Sequence, residues 1–201
     1  MKPYSAACER NKDPILTVLR RFFADVSLVL EIGSGTGQHA VHMGTHLPHL
    51  TWQTSDLAVH HDGIRRWLED AGLPNVGSPL PLDVDQTEWP ELEPDAVFTA
   101  NTFHIVSWPQ VQRLLAGAAR ALKAAAVEKR GKLAVYGPFN YDGNYTGPGN
   151  RNFDQMLRQR DPLSGIRDFE AVVAQARSEG FALVGDVAMP ADNHLLTFVL
   201  D

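Results

Sequence analysis

Val29-Leu30-Glu31-Ile32-Gly33-Ser34-Gly35-Thr36-Gly37 decides the fold of this chain. Leu28 to Ile32 is apolar apart from Glu31, as a buried strand is, and it runs straight into glycines at 33, 35 and 37. Gln38-His39-Ala40-Val41 continues as a helix. Glycine takes positive φ, or lets a ligand approach the backbone, at little steric cost. A helix that starts behind such a turn presents unpaired N–H groups. Strand, glycine turn and helix together form a ligand cradle at the carboxyl end of a parallel strand.

The spacing narrows the ligand. The dinucleotide fingerprint is G-x-G-x-x-G with an acid about 20 residues further on. Here the pattern is G-x-G-x-G followed by Gln38, and Glu31 stands where it would repel a pyrophosphate. A ligand carrying an amine and a sulfonium would be attracted instead. The stretch resembles motif I of the class I S-adenosylmethionine-dependent methyltransferases. The alternatives are a tight turn without a ligand and a nicotinamide-type cofactor, for which NADH would compete in a titration.

Composition sets bounds. The chain has 201 residues, 44% hydrophobic and 21% charged, which is ordinary for a soluble globular protein. That length is most simply one domain, 1–201. The net charge of −6 argues against a nucleic-acid partner, which needs a basic footprint. The single Cys8 cannot form an intrachain disulfide, so a reducing compartment, the cytoplasm, is expected. The first residues lack an apolar targeting core, and no apolar run is long enough to span a membrane.

Periodicity orders the rest. Residues 1–13 read as a polar arm, able at Ala7 to Lys12 to close over the ligand cleft. Asp13-Pro14 reads as N-cap and first turn of a helix over 14–24, with Ile15, Val18, Leu19, Phe22 and Phe23 on one face. Strands are expected at 27–32, 50–55, 79–83, 96–100 and 132–136. Helices are expected at 37–46, 59–71, 108–123, 151–160 and 168–179. Gly137 to Asn150 is a long polar stretch, expected to be a lid. Phe181 to Val187 and Leu195 to Leu200 read as an antiparallel hairpin. Alternating strands and helices imply a doubly wound, mostly parallel α/β sheet.

Polar residues end the strands where such a sheet binds ligands. Asp56 can accept both ribose hydroxyls, and Leu57 offers an apolar face to adenine. Asp83 can accept from the adenine amino group, with the Val84 N–H given to a ring nitrogen. Asn101 would lie under the methionine end of the cofactor. His104, just beyond, is a candidate general base for the methyl acceptor, or a positioning residue. Tyr136, Phe139 and Tyr141 at the foot of the lid would face the substrate. His39, His42, His46 and His49 recur at helical spacing and suggest zinc. With no cysteine beside them, a solvated or partly packed helix face is the expectation, and no metal site is assigned.

With these segments read, almost the whole chain resembles a small family of class I methyltransferase-like proteins of unknown function. The matching stretches are ACERNKDPIL, VLEIGSGTGQHAV, WQTSD, LDV, NTFHI, YGPFNYDG, GIRDFE and MPADNHLLTFVL. The resemblance implies a Rossmann-like sheet of seven strands whose last strand inserts beside the fifth. It implies an S-adenosyl-L-methionine site at Glu31, Gly33, Ser34, Gly35, Gly37, Asp56, Asp83 and Asn101, with Asn11 reaching that pocket. Ala124-Ala125-Ala126-Val127-Glu128-Lys129 stands where a shorter, glycine-containing turn is usual. The expected function is methyl transfer to a small-molecule acceptor, a protein side chain being possible. The alternative is a non-catalytic cofactor-binding or protein-interaction module of the same fold.

Overall fold

A computed structural model describes residues 2–125 and 130–201. The first strand, β1 (Leu28–Ile32), pairs in parallel with β2 (Thr51–Asp56) on one side and β4 (Ala96–Ala100) on the other. β3 (Val76–Pro81) closes the near edge beside β2. β5 (Lys132–Asn140) follows β4 in parallel. β7 (Phe181–Met189) and β8 (Asn193–Leu200) form the hairpin, with β8 inserted antiparallel between β5 and β7. The order is therefore β3-β2-β1-β4-β5-β8-β7, as expected for seven strands. A two-residue β6 (Arg167–Asp168) adds to the far end of β5 and was too short to leave a period.

Helices cover both faces. α1 (Ala6–Phe22) and α2 (Gln38–His46) pack with Val29, Trp52, Phe98, Ala134 and Tyr136. α4 (Trp108–Ala125) and α6 (Phe169–Ser178) pack on the opposite face with Leu30, Ile32, Val97, Leu133 and Val135. The alternation of these strand residues between two cores is what a sheet buried on both sides requires. α3 (His61–Ala71), after a short turn at Ala58–His60, runs to Gly72. α5 (Pro148–Arg160) follows β5. Among the described residues no helix is long and apolar enough to cross a membrane.

Several boundaries differ from the sequence reading, the hairpin strands, for example, each being two residues longer. The N-terminal arm is mostly helix: α1 starts at Ala6 because the Ser5 Oγ accepts from the Cys8 N–H at 3.3 Å. Pro14 lies inside that helix rather than at its start. β3 begins three residues early, because Gly77 leaves room for the Gln53 side chain, whose amide donates to the Ser78 carbonyl at 2.6 Å. The lid shrinks, because β5 continues to Asn140 and α5 begins at Pro148. β4 pairs with β5 only as far as Tyr136, so Pro138 faces β8 on one side alone and its missing N–H is tolerated. The lengthened turn before the fifth strand lies, from residue 126 on, outside the described residues.

Candidate active site

The glycine turn is stitched to its neighbours before any ligand is considered. The N–H groups of Gly33 and Ser34 both donate to the Ser55 carbonyl at 3.0 Å. Ser55 Oγ donates to the Glu31 carbonyl at 2.6 Å, and Ser34 Oγ accepts from the Ser55 N–H at 3.1 Å. Thr99 Oγ1 ties β4 to the Ile32 carbonyl at 2.9 Å. Asn101 leaves β4 with a φ of 59°, a left-handed conformation that asparagine tolerates better than most residues. These contacts hold the tips of β1, β2 and β4 level around a cavity of about 670 Å3.

Gly33, Ser34, Gly35, Asp56, Leu57, Asp83, Val84 and Asn101 line that cavity. Asp56 Oδ2 accepts from the Gly35 N–H and Oδ1 from the Leu57 N–H, both at 2.7 Å. A carboxylate has about four lone-pair positions, so two remain for ligand hydroxyls. Gly35 has a φ of +59°, and a Cβ there would meet no heavy atom within 4 Å. The space in front of Gly35 is thus open to a ligand. An acid-lined cavity with an open glycine at its floor and exposed Leu57 and Ile105 at its rim fits an adenosyl sulfonium.

The other expected site residues lie elsewhere. Glu31 is 1% exposed beneath the turn, where it accepts from the Trp52 indole N–H at 3.1 Å. Burial pushes its carboxyl up to about 7, against hydrogen bonds from Trp52 and Ser34. Gly37 caps α2 and packs on α3. His104 is buried with its ring edge-on to Phe153, at 5.1 Å between centroids. Desolvation, with Arg167 and Arg160 nearby, lowers its pKa to about 4. Phe139 is core, and Tyr141 stacks on Phe169 while its hydroxyl donates to Asp186. Tyr136 is buried in the core beside α1 and α2 and takes a hydrogen bond from the Asn11 side chain.

The N-terminal arm reaches the cavity through Pro3, Ser5 and Cys8, whereas Thr102, Ile105, Val106 and Gln110, from the stretch after β4, were not anticipated. Pro3 is held by the Trp67 indole, which donates to its carbonyl at 2.6 Å, and Ser5 by Gln38, whose Oε1 accepts from the Ser5 N–H at 2.6 Å. Burial, with Glu31 and Glu9 nearby, pushes the Cys8 thiol up to about 12, so it stays protonated. His39 also lines the cavity, contrary to its reading as a solvated or partly packed helix face. His42 and His46 lie side by side on α2, with ring centroids 4.5 Å apart and planes tilted by 43°. Among the described residues no group of three or more His, Cys, Asp or Glu is placed to hold a metal. The 3.6-residue period would have separated His39 from His42 only if the packed face of α2 were already known.

This sheet order, with a glycine turn at the tip of β1 and polar groups beyond β2, β3 and β4, is the class I methyltransferase fold. The S-adenosylmethionine-dependent methyltransferase SibL, solved in its apo form, is 25% identical with a TM-score of 0.80, covering 97% of this chain and 56% of its own. An O-methyltransferase family protein from Burkholderia thailandensis is 18% identical, TM-score 0.81, covering 94% and 56%. Human N-acetylserotonin methyltransferase in complex with S-adenosylmethionine is 15% identical, TM-score 0.78, covering 96% and 52%. The chain spans little more than half the length of these proteins. Over residues 2–199 it matches the family described as "Protein of unknown function (DUF938)", and it belongs to that family.

Proposed function

We propose that this chain binds S-adenosyl-L-methionine at the tips of β1, β2, β3 and β4 and transfers its methyl group to a small-molecule acceptor. The observation that carries this reading is the open cradle at Gly35 facing the Asp56 carboxylate. Asp56 would hold the ribose, with Leu57 and Val84 beside the adenine and Asp83 at its amino edge. Ser34, Gly33 and Asn101 would hold the methionine end. Glu31 and Asn11 would act from beneath, through Ser34 and His39. When bound, the cofactor supplies an electrophilic methyl group on a sulfonium. The protein's part is to hold the acceptor against it and exclude water, and orientation of this kind is worth up to ~7–11 kcal/mol. Support for a small acceptor comes from human N-acetylserotonin methyltransferase, whose name specifies one. The single, buried Cys8 fits a cytoplasmic setting.

Calorimetric titration with S-adenosylmethionine and S-adenosylhomocysteine tests it. Wild-type protein is expected to bind both. Asp56→Ala is expected to lose roughly 10²- to 10⁴-fold in affinity, the worth of two hydrogen bonds to a charged group. A flat wild-type titration sinks the reading. A second reading, a binding module without turnover, draws on one observation: His104, Tyr136, Phe139 and Tyr141 all stay out of the cavity wall. Tight binding with no labelled product from a broad set of acceptors would support it.

A further inference from the structure

One buried titratable side chain of the cavity wall, His39, has a ring nitrogen to which the donor-binding reading gives no role. His39 sits at the second helical position of α2 and lines the cavity while only 9% exposed. Its Nε2 lies 2.7 Å from Asn11 Oδ1. An amide oxygen only accepts, so Nε2 carries the proton. Asn11 is in turn held by its hydrogen bond to Tyr136. Three elements, α1, α2 and β5, thus fix one tautomer of one ring. With Nε2 turned to Asn11, which does not line the cavity, Nδ1 is the ring nitrogen left for a cavity ligand.

We propose that His39 Nδ1 accepts the hydrogen of the methyl acceptor, and that the acceptor is an uncharged hydroxyl group. The inference rests on the donor-binding reading above. Chemistry sets two common acceptor classes aside. A carboxylate has no hydrogen to give and would enter beside Asp56, Asp83 and the nearby Glu9. An alkyl ammonium has no lone pair with which to attack. A hydroxyl has both. Its oxygen lone pair forms the new bond to the methyl carbon, and the carbon–sulfur pair stays on sulfur. The hydroxyl proton passes to Nδ1 as the oxygen becomes acidic, and then to water. A weak base suffices for a proton released so late. His39 is one: desolvation and His42 hold its pKa down, to about 4. The helix N-terminus acts in the same direction. The charged and titratable groups that act on the ring are Glu9 and Lys12 on α1 and His42 on α2. A ring kept neutral also avoids placing a cation beside a sulfonium.

The test combines two readouts. Long-range proton–nitrogen NMR of the ligand-free protein should show His39 neutral with Nε2 protonated down to about pH 5. Asn11→Ala should lose that single tautomer, and phenol added to the S-adenosylhomocysteine complex should shift Nδ1. In assays with labelled S-adenosylmethionine and a panel of phenols and alcohols, His39→Gln should cut kcat at least 10-fold. Its S-adenosylhomocysteine affinity should stay within about twofold of wild type. The proposal is overturned if Nδ1 proves to be the protonated atom, or if His39→Gln loses the donor. It is overturned equally if methylation falls only on amines or carboxylates, or if no hydroxyl is methylated by protein that binds donor tightly. Failure of wild type to bind S-adenosylmethionine would instead remove the donor-binding reading, and the NMR result separates the two.

Discussion

Gly35 and Gly72 share a φ of +59° and open space where a Cβ would go, yet they stand in different places. Gly72 ends α3 at the surface, and Gly35 floors the cavity. The left-handed conformation costs an L-residue about 1–2 kcal/mol. Gly35→Ala and Gly72→Ala should therefore lower stability by similar amounts in a thermal melt. Only Gly35→Ala should weaken S-adenosylmethionine, by 10-fold or more, because its methyl group occupies ligand space. Equal affinities in the two variants would remove Gly35 from the site. At this scale the sequence was informative wherever backbone conformation is tied to residue type. It was silent on Ser55 and Thr99, whose hydroxyls clamp β1 through ordinary-looking strand positions.

The same limit appears in the elements. Asp13-Pro14 is a good helix start by local rules, but the chain starts α1 earlier because its apolar face continues back to Cys8. Burying Cys8, Ile15, Leu16 and Leu19 outweighs an interior proline that costs about 3 kcal/mol. Pro14→Ala restores an N–H opposite the Arg10 carbonyl while freeing the unfolded chain. Net stabilisation of about 1–2 kcal/mol is expected, read as a higher urea midpoint at unchanged slope. An unchanged or lower midpoint would show that the helix bends to suit the ring. The early start also carries Pro3, Ser5 and Cys8 over the cavity, so one capping serine helps shape a wall of the candidate site. The stretch after β5 shows the converse. Its glycines and prolines suggest a long loop, but the ends belong to β5 and α5, and Asp154 of α5 accepts from Tyr145, Arg158 and the Ile166 N–H.

Across the whole molecule, buried titratable groups pull stability in opposite directions with pH. Folded Glu31 keeps its proton up to about 7, whereas an ordinary glutamate releases it near 4.5. The folded state binds more protons in that window, so this group makes stability fall as pH rises. His39 and His104 stay neutral when folded down to about 4, whereas unfolded they protonate below 6.5. They make stability rise with pH between those values, and His42, also lowered chiefly by burial, adds to the rise. Wild-type stability should climb from pH 4.5 to 6.5, and Glu31→Gln should steepen the climb, measured by urea unfolding at each pH. A parallel pair of curves would show that Glu31 is ionised in the folded protein. The sequence alone determined the sheet, its order through the resemblance, and the acids at the strand ends. Strand periods, glycine spacing and strand-end positions are local properties of a chain. Only tertiary structure decided that His39 enters the cavity while His104 and Tyr141 do not, that the arm is helical, and that Glu31 is buried beneath the turn. Those outcomes depend on which helix face meets which sheet face, and that is settled by packing between residues far apart in sequence.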